Sequence, residues 1–157
     1  MNKIVLTVLA LSLIAVASAQ SQITFVDVPP CHWASGAVTQ ISGSDRAQPE
    51  SNARTAANAL EQVFAGLQCG NAQWVARFVS NLPANFSVSE GTVRSFNLRV
   101  LETRIQGQTA SLRYQLTLKL ATGAVTRSGT ARLTANPDTG WQVAYASLLE
   151  MKLPFFP

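Results

Sequence analysis

From Ala110 to Leu120 the chain alternates without a break. Ala110, Leu112, Tyr114, Leu116, Leu118 and Leu120 are separated by Ser111, Arg113, Gln115, Thr117 and Lys119. A period of two sustained this long predicts a β-strand with one buried face. Upstream, Phe96, Leu98 and Val100 share one parity, and Leu101, Thr103 and Ile105 share the other. That phase slip near Val100-Leu101 predicts a bulge that bends a long strand. Gln106-Gly107-Gln108 reads as a hairpin connection, and Thr122-Gly123 as a second one leading into Val125 to Thr134. Asn136-Pro137-Asp138-Thr139-Gly140 reads as a third, into Trp141, Val143, Tyr145 and Ser147.

Ahead of the strands the period is helical. Ala53, Ala56, Ala57, Leu60, Val63, Phe64 and Leu67 form one face of a helix that begins near Glu50 or Ser51 and is stopped by Gly70. Asn71 is a suitable N-cap for a second helix carrying Trp74, Val75, Phe78 and Val79, ended by Asn81-Leu82-Pro83. The expected fold class is therefore α+β, with N-terminal helices packed on a curved four-stranded antiparallel meander sheet. The tail Leu153-Pro154-Phe155-Phe156-Pro157 cannot continue a central strand; it either caps a sheet edge or hangs free.

The first residues follow a different pattern. Lys3, the apolar run Ile4 to Ala17 and the small-x-small site Ala17-Ser18-Ala19 make residues 1–19 a cleavable export signal. The run is shorter than the ~20 residues that a spanning helix needs, so no stable membrane span is expected after cleavage. Residues 20–30 end in Pro29-Pro30 and should be extended. Helix is expected from about His32, with Trp33, Ala37, Val38 and Ile41 on one stripe, until the small polar stretch Ser42 to Pro49.

Charge and composition narrow the chemistry. The whole chain carries +4, one less once Lys3 is removed, with no Lys/Arg run, so nucleic acid is not an expected partner. Two cysteines in an exported protein point to one disulfide, here Cys31–Cys69, rather than a redox pair or a metal site. His32 is the one histidine, and as the sequence neighbour of Cys31 it points in another direction on a helix, a poor geometry for a nucleophile pair. Glu61, Glu90, Glu102, Asp138 and Glu150 are widely separated, so neither acid–base work nor metal ligation is indicated. No catalytic residues, cofactor or metal are expected.

Two resemblances follow from these residues. Phe25-x-Asp27-Val28-Pro29-x-x-His32-Trp33-Ala34, with Ala37, Val38 and Ile41, resembles the opening half of an S-layer homology repeat, a bacterial cell-wall-attachment module. The resemblance extends as a shortened echo, with Arg54, to about residue 60. It implies contact with cell-wall polysaccharide or an S-layer protein, Trp33 stacking on a sugar and Arg54 pairing with an anionic group. The order of elements from 51 to 150, and Ala131 to Tyr145 in particular, resembles the nuclear transport factor 2-like superfamily, in which helices cradle a strongly curved sheet. That likeness implies a cone whose pocket Tyr114, Arg127 and Tyr145 would line, although this segment lacks the histidine of many catalytic members. The alternative, favoured for Arg127 by its nearness to the Thr122-Gly123 turn, is that the arginine snorkels to solvent and the tyrosines are simple core.

The chain thus divides into the signal at 1–19, a partial S-layer-homology-like arm and helix at 20–48, and a cone-like α+β domain at 49–157. The reading is an exported protein of the bacterial periplasm or cell envelope, non-enzymatic in type. A small-ligand-binding or enzymatic cone is the alternative.

Overall fold

The computed structural model describes residues 23–25 and 49–156, with side chains described from Thr55 onward. Helix α1 (Pro49–Gln68) and helix α2 (Ala72–Phe78) come first in the domain, and their junction follows the sequence closely. Gly70 adopts φ +61°, its amide donates to the Leu67 carbonyl (3.2 Å), and the Asn71 amide donates to Gly66 (2.9 Å). This pair of bonds is the Schellman arrangement, with glycine at the left-handed position. Asn71 then caps α2, its side chain accepting from the Trp74 amide at 3.0 Å. A Cβ at Gly70 would also collide with the Glu90 backbone. Gly70→Ala is therefore expected to cost about 1–2 kcal/mol from the left-handed backbone alone, read as a lower urea midpoint at unchanged slope. An unchanged midpoint would contradict the close approach of Gly70 to Glu90.

Four long or medium strands follow: β3 (Val93–Gln106), β4 (Thr109–Leu120), β5 (Gly123–Asn136) and β6 (Gly140–Ala144). They pair in sequence as antiparallel neighbours, joined at the three expected turns. The β3–β4 register shifts between Val100 and Glu102, at the phase slip, and again between Val93 and Ser95.

The sheet nevertheless differs from the expected four-stranded antiparallel meander. Helix α2 stops at Phe78, and Val79–Ser80 form β2, which pairs parallel with Val143 and Ala144 of β6. At the other edge, β1 (Ile23–Phe25) pairs antiparallel with Leu98 to Val100 of β3. The sheet is thus mixed: five strands within the domain and a sixth from the N-terminal segment, in the order β1-β3-β4-β5-β6-β2. Two- and three-residue strands are too short to display a period, so neither is visible as a pattern. The last strand is also shorter than expected. It ends at Ala144, and Tyr145–Leu149 form helix α3, which buries Tyr145 and Leu148 at helical spacing. Ser147 Oγ donates to the Ala144 carbonyl (2.7 Å) and accepts from the Arg132 amide (3.2 Å), serving the edge of β5 where β6 has ended.

The core lies between α1 and the sheet. Leu60, Val63, Phe64 and Leu67 of α1 share one buried cluster with Leu98, Leu112, Tyr114, Leu116 and Leu118. Trp141 of β6 reaches α1, its indole N–H donating to Thr55 Oγ1 at 3.1 Å. The tail joins the same cluster rather than hanging free. Met151, Leu153 and Phe156 are buried, and the Phe156 ring lies 5.7 Å from Phe86 and 6.0 Å from Tyr145.

Candidate functional site

The alternation that builds β3 to β5 gives the sheet two chemically different faces. The inner face carries the core leucines. On the outer face the registers assemble transverse rows: Arg104–Ser111–Arg132, flanked by Gln106–Thr109–Thr134 on one side and Glu102–Arg113–Thr130 on the other. A groove of about 410 Å3 runs along the first two of these rows, lined by Arg104, Gln106, Thr109, Ser111, Arg132 and Thr134 together with Ala110 and Leu133, and the Glu102–Arg113–Thr130 row lies beside it. Glu102 accepts from Arg104 Nε and lies 3.4 Å from Arg113 Nε, while Arg132 pairs with Glu150 of the α3 end at 2.7 Å. All three guanidiniums remain more than half exposed, so these are solvated pairs of small net worth that hold the arginines in place.

The pocket expected inside the sheet takes a different form. Tyr114 is fully buried, its ring 6.2 Å from Phe64, and its register partner is Gly129. Burial, and secondarily the Glu150 charge, push the Tyr114 phenol well above its usual range. Among the described residues its hydroxyl finds no hydrogen-bond partner. Tyr145 is buried against Phe156. Arg127 pairs in register with inward-facing Leu116 yet is exposed, Nη1 donating to the Thr126 carbonyl at 3.0 Å. Helix α1 lies against β3 and β6, and Met151 lies against the next inward position of β5, Gly129. The arginine beyond that cover reaches solvent. Tyr114 and Arg127 therefore sit on neighbouring strands, one sealed in and the other outside.

Of the remaining expected residues, Trp33 and Cys31 lie outside the described residues. Arg54 belongs to α1, but its side chain is not among those described. Cys69 follows α1, packs at the border of the core and is not a free thiol. Among the described residues no group of three or more His, Cys, Asp or Glu is placed to hold a metal ion, and no helix is long and apolar enough to cross a membrane.

One titrating group stands out. Glu61 lies on α1 one turn from Ala57 and Ala65, both buried, and desolvation raises its carboxyl from 4.5 to about 7. A raised folded-state pKa means that the fold favours the protonated form. The contribution is full below about 4.5 and is lost as pH rises through about 7. Discounted for partial exposure, the loss is about 1–2 kcal/mol. Denaturation at a series of pH values should show wild type losing that much relative to Glu61→Gln between these limits. Parallel pH profiles would contradict a desolvated Glu61.

The outer-face row was not recognisable from sequence, because Arg104, Ser111 and Arg132 lie on three strands separated by two hairpins and meet only once the strand registers are set. No protein-family model, curated protein or solved structure matches the chain. Functional inference therefore rests on the residues themselves and on their placement.

Proposed function

We propose that this is an exported, non-enzymatic protein of the bacterial cell envelope whose N-terminal segment contacts cell-wall polymer or an S-layer partner. The observation that carries the reading is the Asp27-Val28-Pro29-x-x-His32-Trp33-Ala34 stretch, set a few residues after a cleavable export signal. Its position supports the same view. Phe25, where the stretch opens, is the last residue of β1, paired to the edge of the domain's sheet. The stretch thus begins at the edge of the folded sheet. A Cys31–Cys69 disulfide would tie it to the end of α1 as well. Trp33 would stack on a sugar ring, and Arg54 would pair with an anionic substituent. Co-sedimentation of the mature protein with purified peptidoglycan sacculi, against a Trp33→Ala variant, tests this. Retention that falls with the substitution supports the reading; equal retention of both proteins, or of neither, removes it.

One observation favours the alternative of a small-ligand-binding domain like those of the nuclear transport factor 2-like superfamily. A phenol buried with no partner among the described residues, as at Tyr114, is costly unless a small polar molecule is enclosed beside it. On this reading Tyr114→Phe lowers the melting temperature of protein purified from cells, because a bound molecule loses its anchor. A raised melting temperature would leave the hydroxyl unused and remove the alternative.

A further inference from the structure

We propose that the outer-face groove centred on Ser111 binds a polysaccharide that carries carboxylate groups. The groove's chemistry stands independently of the N-terminal segment; only the choice of a glycan over other carboxylate-bearing molecules rests on the envelope reading.

Three features of the groove define the ligand. The first is charge. Arg104, Arg113 and Arg132 stand in and beside the groove against the carboxylates of Glu102 and Glu150, and Lys119 adds positive charge farther along β4, so an anion is favoured. The second is geometry. Arg104 and Arg132 stand two strands apart, so their backbones are about 10 Å from one another, and Arg113 lies about 7 Å along the middle strand from Ser111. Glu102 and Glu150 interleave with these cations. Cations so widely spaced, with carboxylates between them, suit a polymer that carries no more than one anionic group per sugar. They suit a nucleic acid poorly, since its charges recur every 1.7 Å along the duplex axis. No outward position on these strands is aromatic, so bases would also find no stacking platform.

The third is hydrogen bonding. A guanidinium has five N–H donors, and the carboxylates of Glu102 and Glu150 already show that these arginines seat carboxylates. Their remaining donors are available to a ligand carboxylate. The hydroxyls of Thr109, Ser111 and Thr134 and the amide of Gln106 line the same groove, and they match sugar hydroxyls. A single exposed pair is weak; a repeating polymer gains by rebinding along its length.

Polygalacturonate is a suitable soluble probe, with dextran as the uncharged glycan and oligo(dT) as the phosphate polyanion. The mature protein is expected to bind polygalacturonate in a salt-sensitive manner and neither comparison polymer comparably. Arg104→Gln/Arg132→Gln should weaken that binding about fivefold or more, whereas the charge-matched Arg77→Gln/Arg94→Gln variant should stay within about twofold. Ser111→Glu keeps both arginines, places a like charge in the groove, and should abolish binding without depending on the fold of the double variant.

Equal weakening by the two double variants would reduce the effect to net charge and overturn the proposal. So would full binding by Ser111→Glu, oligo(dT) binding as tight as that of polygalacturonate, or no binding beyond that of dextran. The probe contains no peptidoglycan. Failure here leaves the Trp33 test standing, and loss of Trp33-dependent retention on sacculi leaves this one.

Discussion

Replacing Phe64 by alanine is expected to lower the stability of the domain by about 3–5 kcal/mol, a large share of what a domain of this size has. Phe64 is fully buried on α1, with its ring 5.9 Å from Phe96 of β3 and 6.2 Å from Tyr114 of β4. Both pairs are tilted by about half a right angle, at 52° and 50°, within the range in which aromatic rings attract one another. Truncation removes the ring's burial, opens a cavity between helix and sheet and forfeits both ring contacts. The surroundings are other fully buried side chains, such as Leu60, Leu98 and Leu116, so the site has little room to collapse. Urea titration should show a much lower midpoint with an unchanged slope. A loss below about 1 kcal/mol would mean that α1 does not seal the β3–β4 face as described.

Reduction or substitution of the proposed Cys31–Cys69 bond should have an effect of similar size. The bond would close a loop of about 38 residues, for which chain entropy in the unfolded state gives roughly 4 kcal/mol. Cys69 is well placed to transmit that restraint. It follows α1 directly, its amide donates to the Ala65 carbonyl at 3.0 Å, and the Gly70–Asn71 turn follows. Cys69→Ser is accordingly expected to lower the melting temperature under oxidising conditions, and added reductant should bring wild type down to the variant. Equal melting temperatures for the two proteins without reductant would show that no stabilising bond joins these cysteines.

The long-range architecture was legible wherever a pattern had room to repeat. Strand β4 could be read residue by residue because each buried leucine alternates with an exposed or half-exposed polar side chain. The α1–α2 junction was legible because Gly70 and Asn71 have few conformational competitors at a helix stop and a helix start. The failures have equally physical sources. Val79 continues the apolar stripe of α2, so nothing in the pattern marks its departure into a parallel pairing with Val143. Tyr145 and Ser147 keep the parity of β6, and only the pair Tyr145 and Leu148, three apart and both buried, gave a helical sign.

Arg127 shows the limit of parity as a guide to a site. Its register is inward, as its spacing from Ala131 and Leu133 indicates, yet it reaches solvent, as its nearness to the Thr122-Gly123 turn favours, because burial depends on what covers a strand. The row of Arg104, Ser111 and Arg132 shows the converse. Each residue alone reads as an ordinary solvated position, and the site exists only once two hairpins set the register. Chemistry created by alignment across strands leaves no local signature for a single chain to reveal.

The envelope proposal requires that the chain be exported, and the intact mass of the protein tests this most directly. The protein, expressed in a bacterium with its own first 19 residues, would be recovered from the envelope and cytosolic fractions and weighed before and after reduction. The expected product is an envelope-fraction protein that begins at Gln20 and, before reduction, is lighter by the two hydrogens that a Cys31–Cys69 disulfide removes. A cytosolic protein that begins at Met1 and carries two free thiols would contradict it.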